Sequence, residues 1–367
     1  MNILVYFVEI TEYNLARIQE VYSKIEDHAF CYVYGSISST GHQTGREIPD
    51  DVHVLEGSAR KKLRQLMEIS QAVKPDFAIV NGYAEAVTAG YIRYCRGQGI
   101  PYAIESDTQL NIPKSPVKRW IKRIYLQHIF SGNAYGFPGG TRQKKLFQHY
   151  GMPDDHIFVM PMTVDTDQFR AISELHTKDE YKEMLGVAGK KVILYAGRFT
   201  AVKDLPCLLR AVAKLKQAHD DFVLCLIGKG EQKPQLEKLA VDLGLQENVR
   251  FFDYQLMPKL AEYYAAADVF VLPSAFEPWG LVVNEALACR MPVIASDACG
   301  CVDDLIIPGE NGDVFPTGDA ETLAVDIEKW LYFGDRKVTV DVINKWDYQN
   351  YRVKLLEALG SIVRKNM

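Results

Sequence analysis

Three things are scarce in this chain: cysteines at metal- or disulfide-like spacing, long apolar runs, and any excess of positive charge. The seven cysteines, Cys31, Cys95, Cys207, Cys225, Cys289, Cys299 and Cys301, are scattered without a CxxC pair. That spacing argues against a zinc ribbon or a disulfide framework and for buried free thiols, with Cys299-Gly-Cys301 as the one weak metal or redox signal. No apolar run approaches the ~18 residues a membrane-spanning helix needs. The start, MNILVYFVEI, is too short and too acidic for a secretory signal, so a cytoplasmic protein is expected. Net charge is -5, and a general affinity for nucleic acid is not expected. No Ser/His/Asp or Cys/His constellation stands out, and there is no internal repeat or low-complexity tract.

What is present reads as an ordinary globular protein of about two domains: 367 residues, 48% hydrophobic and 24% charged. Short apolar runs alternate with amphipathic ones. The runs lie at 2–8, 30–34, 77–82, 101–106 and 134–139, then at 192–197, 222–228, 249–252, 269–273 and 292–296, with helical patterns such as LPCLLRAVAKLKQ between most of them. Alternating strand and helix implies parallel sheets covered on both faces. The best boundary is the polar stretch after IFVMP, which divides the chain into 1–165 and 166–345. The last stretch, 346–367, has the pattern of an amphipathic helix able to cross back to the first domain. Two facing doubly wound domains with a cleft between them are expected, and ligands of such sheets bind beyond the carboxyl ends of the strands.

The most informative segment is EPWGLVVNE, with Glu277 and Glu285 at its ends. The preceding DVFVLPS has the β-branched and aromatic content of a buried strand, and 281–289 has helical spacing, so the carboxylates bracket a strand-to-helix turn and the helix it opens. Free amides in the first turn suit an anion, and carboxylates suit sugar hydroxyls. YAGRFTAVKDL places Arg198 and Lys203 after another strand, where they either clamp a diphosphate or are solvated loop charges; beside EPWGLVVNE the clamp is the better reading. IGKGEQK, with Gly228, Gly230 and the later Asp253, begins like a dinucleotide fingerprint, but Lys233 stands at the third glycine position. It is read as a place where backbone approaches a nucleotide. Asp165-Thr166-Asp167 mimics a metal-binding DxD and is read as structural.

These motifs, taken in order from YAGRFTAVKDL through IGKGEQKPQLEKLA, VRFFDY, YYAAADVFVLPSAFEPWGLVVNEALACRMPVIAS and PGENGDVFPTGD, closely resemble the retaining glycosyltransferases of family four. The resemblance covers nearly the whole second domain. It implies the α/β GT-B fold of two facing Rossmann-like domains, with the first domain for the acceptor and the second for the donor. It also implies a metal-independent transfer of a glycosyl unit, a hexose by expectation, from a UDP- or GDP-linked sugar with retention. By position, Arg198 and Lys203 become ligands of the diphosphate, Glu277 meets the transferred sugar, Glu285 the ribose, and Tyr254 and Gln255 border the base. Amides near Gly280 and Leu281 complete the cradle, and Gly197, Gly228, Pro278 and Trp279 belong to the same donor site. The reaction implied is front-face, with the leaving phosphate helping to deprotonate the acceptor, and no cofactor beyond the donor itself. A sugar-nucleotide epimerase of the same fold, an NAD-dependent oxidoreductase using the G-x-G, and a silent binding homologue are the rivals; in the last the carboxylates or cations would be altered.

The first domain departs from the family. Where a glycine-rich loop is common, the chain has VEITEYNLARI with Glu9 and Glu12. Where a histidine is common, PYAIESDT offers Glu105, Ser106 and Asp107, of which Glu105 and Asp107 are candidate acceptor ligands, with helix capping the alternative for Asp107. SPVKRWIKRIYLQHIF places Val117, Trp120, Ile121 and Ile124 on one helical face beside Lys118, Arg119, Lys122 and Arg123, and SARKKLRQLMEI adds Arg60, Lys61, Lys62 and Arg64. Either these apolar residues pack on the sheet, or the helix lies on an anionic membrane. The second reading is preferred, with a lipid-linked glycan or a growing surface polysaccharide as acceptor and peripheral association with the inner membrane face.

Overall fold

Near-continuous apolar runs such as ILVYF and FVLCLI cannot face water on either side, so they enter parallel sheets with helices on both faces. The computed structural model describes residues 1–36, 48–110, 115–334 and 338–366. Within them the chain forms two units, Met1–Met162 with Tyr348–Met367, and Thr163–Asp347. The division falls three residues before the expected 165/166 boundary, and the last stretch belongs to the first unit.

The first unit contains β1 (Asn2–Phe7), β2 (Ala29–Tyr34), β3 (Val52–Val54), β4 (Phe77–Asn81), β5 (Tyr102–Ser106) and β6 (Ala134–Pro138). The second contains β7 (Lys191–Ala196), β8 (Phe222–Ile227), β9 (Val249–Phe252), β10 (Val269–Leu272), β11 (Val293–Ser296) and β12 (Gly312–Phe315). The orders are β3-β2-β1-β4-β5-β6 and β12-β11-β10-β7-β8-β9. Both are the dinucleotide-fold order, which reverses between the first and fourth strands and leaves a crevice at that switch point. In the first sheet it lies between β1 and β4, in register from Ile3 opposite Phe77. In the second it lies between β7 and β10, with Val269 opposite Ile193. The two strands that the apolar runs did not reveal, β3 and β12, are the outermost at one end of each sheet and are short. His53 and Asp313 interrupt their apolar pattern, which an edge position tolerates.

Period-two alternation divides the first sheet's side chains between two cores. Ile3, Val5 and Phe7 pack with Leu15 and Ile18 of the helix Glu12–Glu20, and with Tyr351, Leu355, Leu359 and Ile362 of the C-terminal helix Tyr348–Asn366. Leu4 and Tyr6 pack on the opposite face with Leu66, Tyr91, Ile92, Leu126 and Phe147. The C-terminal helix is thus a structural layer of the first unit, although the entire second unit precedes it in the chain.

The helix Pro116–Ile129 corrects one expectation. Ser115 caps it, with its hydroxyl facing the Lys118 amide, so Asp107 is not its cap. Only Leu126 and Ile129 turn into the core. Val117, Trp120, Ile121 and Ile124 are exposed and do not pack on the sheet.

Candidate functional site

The switch point of the second sheet gathers the expected donor residues from two loops. β7 ends at Ala196, and the chain turns through Gly197, Arg198 and Phe199 into a single 3-10 turn, Ala201–Lys203. Asp204 follows in the left-handed region, φ 45°, and opens the helix Leu205–Leu215. β10 ends at Leu272 and leads through Ser274 and Glu277 to Gly280, which precedes the helix Leu281–Ala288. Gly280 has φ 102°, and a Cβ there would stand 2.9 Å from Leu272 Cδ2 and 3.3 Å from Glu277 Cγ. Any larger residue would therefore strain the turn that aims Glu277. No side chain among the described residues caps this helix; the Val283 amide donates to the Gly280 carbonyl at 2.8 Å, and the amides of Leu281 and Val282 lie at the positive end of the helix dipole.

The loops are tied to each other. The Ala275 amide donates to the Val202 carbonyl at 2.8 Å, and Lys203 forms an ion pair with Glu277 Oε2. Both side chains are only 13% exposed, so the pair is largely withdrawn from water and its geometry is held by packing. Ser274 Oγ donates to the same carboxylate oxygen at 3.4 Å. On its other side Glu277 is joined to the segment after β11, where the Gly300 amide donates to the Glu277 carbonyl at 2.9 Å. Tyr195 lies beneath, donating to the Arg198 carbonyl at 2.9 Å. Its phenol is pushed well above the ordinary range, first by burial and then by the Glu277 charge, and it remains a neutral donor. The Arg198 side chain is exposed and has no ion-pair partner among the described residues. Thr200 Oγ1, which lies between the two cations in sequence, is buried without a hydrogen-bond partner among the described residues.

Other expected residues are placed differently. Trp279 is 2% exposed, donates from Nε1 to Asn284 Oδ1 at 2.9 Å and packs against Trp346 at 4.9 Å. Its indole is core, so the expectation that it contacts donor is corrected: only its backbone could do so. Glu285 is buried and accepts from the Tyr264 hydroxyl at 2.7 Å. Gly228 does not leave space for a ligand. A Cβ there would lie 1.9 Å from the Gly197 carbonyl oxygen, and one on Gly230 would lie 2.3 Å from that of Phe199. These glycines exist so that the loop after β8 can pack backbone to backbone on the loop after β7, sealed by the Phe199 amide donating to the Lys229 carbonyl at 2.9 Å. The start of a dinucleotide fingerprint is accounted for by that packing. Tyr254 is partly exposed with Lys229 Nζ 5.6 Å from its ring centre, and Gln255 Nε2 donates to the Asp253 carbonyl at 3.1 Å.

In the first unit Glu105 is corrected as an acceptor ligand. It is buried, with Oε1 taking Arg17 at 3.0 Å and the Tyr351 hydroxyl at 2.5 Å. Asp107, by contrast, is exposed. Asp165 caps the helix Thr166–Ser173, accepting from the Gln168 amide at 3.1 Å, which is a structural role. Cys299 and Cys301 are free and buried, and burial pushes the Cys299 thiol up to about 12. Sequence reasoning missed Ser274, Tyr195 and Tyr264. Ser274, at the end of the β10 run and three residues before Glu277, carried a weak signal; the tyrosines carried none, because a tyrosine in an apolar stretch reads as core.

Comparison with known proteins bears on the same region. Residues 177–338 match the model of the family described as glycosyl transferases group 1. A glycosyltransferase of Methanocaldococcus jannaschii without an assigned reaction is 30% identical over 205 residues, 55% of this chain and 52% of that protein. A lipopolysaccharide core biosynthesis glycosyltransferase of Rhizobium meliloti is 38% identical over 142 residues, 39% of this chain and 40% of that one. The chain spans about half the length of the curated relatives it matches. Across nearly the whole chain, the solved structure of Anabaena HepE in complex with UDP superposes with a TM-score of 0.76 at 17% identity, covering 98% of this chain and 100% of that one. The second unit thus resembles the glycosyl transferases group 1 over residues 177–338, and the chain's two Rossmann-like domains have the GT-B fold.

Proposed function

We propose that this protein is a retaining, metal-independent glycosyltransferase that moves a hexosyl unit from a nucleotide diphosphate sugar to a glycan or lipid-linked acceptor. The observation that carries the reading is the Lys203–Glu277 pair, set beside Arg198 and the open helix N-terminus at the β7/β10 switch point. Arg198 offers a bidentate fork and Lys203 a point charge to the diphosphate, with the amides after Gly280. Glu277, aimed by Lys203 and Ser274, accepts from hydroxyls of the transferred sugar; Glu285, oriented by Tyr264, serves the ribose, and Tyr254 and Gln255 border the base. In the reaction the bond between the anomeric carbon and the phosphate oxygen breaks, and the nucleoside diphosphate leaves with the electron pair. The acceptor oxygen bonds to the same face of the carbon, and its proton passes to the leaving phosphate. The cations and amides stabilise charge as it develops on that phosphate, so no covalent nucleophile is called for.

HepE binds UDP, which favours a UDP donor, with GDP the alternative. The role of the Rhizobium relative in lipopolysaccharide core synthesis favours a surface polysaccharide or glycolipid product. The first unit is assigned to the acceptor, with the exposed Asp107 as its candidate ligand.

The test is thermal stability and turnover with UDP, GDP and their sugars in the presence of EDTA, since a ligand present at 100 times its Kd raises stability by about 2.7 kcal/mol. One nucleotide family should stabilise the chain and support transfer without metal. Glu277→Ala should keep nucleotide binding and lose about 100-fold or more in turnover, whereas Glu285→Ala should weaken binding itself. Stabilisation by NAD but by neither nucleotide would return the oxidoreductase reading, and activity lost in EDTA and restored by magnesium would overturn the metal-free mechanism.

A further inference from the structure

The helix Pro116–Ile129 is built inside out for a helix of a doubly wound domain. Its inward contacts are few: Leu126 and Ile129 enter the core, and the Tyr125 hydroxyl donates to the Tyr83 carbonyl at 2.6 Å. The i, i+3, i+4, i+7 ridge of Val117, Trp120, Ile121 and Ile124, which in a covering helix would meet the sheet, is 66, 65, 55 and 50% exposed. These residues are contiguous along one side of the helix, a patch of the kind that marks an interaction surface. The helix carries four cations, Lys118, Arg119, Lys122 and Arg123, and no acidic residue, in a chain whose net charge is -5. Lys118, Arg119 and Arg123 are exposed, while Lys122 turns inward with Nζ 5.7 Å from the centre of the Tyr150 ring. Arg93, exposed on the neighbouring helix Ala86–Gln98, adds a cation near Tyr125.

We propose that this face docks the protein on an anionic lipid surface, with the helix lying in the plane of the interface. The apolar ridge enters the boundary between headgroups and acyl chains, Trp120 sits at headgroup level, and Lys118, Arg119 and Arg123 meet the lipid phosphates. Charge selects this occupant. A second copy docked by the same face about a twofold axis would set the exposed Lys118, Arg119 and Arg123 against the same three, with no carboxylate on either helix to compensate. An anionic bilayer answers the apolar ridge and the flanking cations together. The inference goes beyond the glycosyltransferase reading and does not rest on it.

The experiment is co-sedimentation of the full chain with vesicles of phosphatidylcholine and phosphatidylglycerol in equal parts, against pure phosphatidylcholine, at low and high salt. Binding should need the anionic lipid, fall with salt, and be accompanied by a blue shift in tryptophan fluorescence that is lost in Trp120→Phe. At about fivefold per cation, the triple variant Lys118→Gln, Arg119→Gln, Arg123→Gln should bind on the order of 100-fold more weakly. Ile121→Ser with Ile124→Ser should abolish what remains. All these side chains are exposed, so the variants keep the parent's melting temperature and its response to UDP or GDP, which separates failure here from failure of the donor site. No sedimentation with anionic vesicles, or binding that both variants leave unchanged, overturns the proposal. So does a dimer of the purified chain that the isoleucine pair dissolves, which would make the face an interface between copies.

Discussion

Lys203 and Arg198 carry the same charge and come from the same loop, yet their surroundings give them different energetics. Lys203 is paired with Glu277 in a site mostly hidden from water, and Arg198 projects into solvent. In the donor site proposed above, replacing Arg198 with Ala removes a ligand of the diphosphate and breaks no ion pair among the described residues. Nucleotide affinity should fall by about 1.5–3 kcal/mol, the range of a charge-assisted hydrogen bond, with the melting temperature of the free protein unchanged. Lys203→Ala also strands the Glu277 carboxylate, so it should lower the melting temperature as well as the affinity; calorimetry on both variants would show the split, and equal stabilities would mean the ion pair contributes nothing to the fold. A second residue-scale prediction concerns Asp326. Burial, and then the neighbouring Asp313 charge, raise its carboxyl to about 6. Lys329, which would oppose this, is bound to Asp313 at 2.7 Å. The unfolded chain ionises Asp326 near the usual 3.8, so the folded state loses stability as pH rises from about 4 to about 6, and the loss is complete above that. Asp326→Asn should therefore be more stable than the parent by about 1 kcal/mol at pH 7.5, discounted for partial exposure, and no more stable at pH 4. Melting curves at the two pH values decide it; a destabilised variant at pH 7.5 would show that Asp326 is ionised and favourably held.

At the scale of elements, the C-terminal helix shows how a polar group becomes structural. Arg17 donates from one nitrogen to Glu105 and from another to Asn14 Oδ1 at 2.7 Å, and Tyr351 donates to the same oxygen of Glu105. One buried knot thus joins the helix Glu12–Glu20, the end of β5 and the C-terminal helix. Arg17→Ala leaves the Glu105 carboxylate buried without its cation and should cost about 3–5 kcal/mol. Tyr351→Phe removes the hydrogen bond to Glu105 and the longer contacts of the same hydroxyl with Arg17 at 3.3 Å and Tyr22 at 3.5 Å, and should cost about 1–2 kcal/mol. Urea unfolding measures both, and Glu105→Gln separates the two roles considered for this residue. A structural glutamate predicts a loss of stability, whereas an acceptor ligand predicts a changed KM at unaltered stability. The sequence put Glu105 in reach of a site because it ends a strand, but the end of a strand faces either solvent or a covering helix. A helix whose Tyr351 lies 246 residues further along the chain decides which it is here.

Over the whole molecule, the elements of both sheets were legible because burial on two faces demands uninterrupted apolar runs, and only β3 and β12 escaped for want of them. The charged residues of the candidate site were legible because loops at the ends of neighbouring strands meet at the switch point, so that Lys203 and Glu277, 74 residues apart, form an ion pair. The sequence could not distinguish a glycine that makes room for a ligand from one that makes room for another loop, as Gly228 does for Gly197, nor a tryptophan in a binding motif from one in the core, as Trp279 is. Both depend on what a distant segment places against them.

The chain by itself thus determined two parallel αβ units, a boundary between them, and a charged site at the strand ends of the second, because hydrophobic periodicity and motif spacing are local properties that survive any arrangement of their surroundings. Tertiary structure alone decided that Tyr351, Leu355 and Leu359 are among the residues by which the last helix enters the first unit's core, that Glu105 is consumed by Arg17 and Tyr351, and which of the two readings of the Trp120 face holds. Burial and pairing are relations between residues far apart in sequence, and no window along the chain contains both partners.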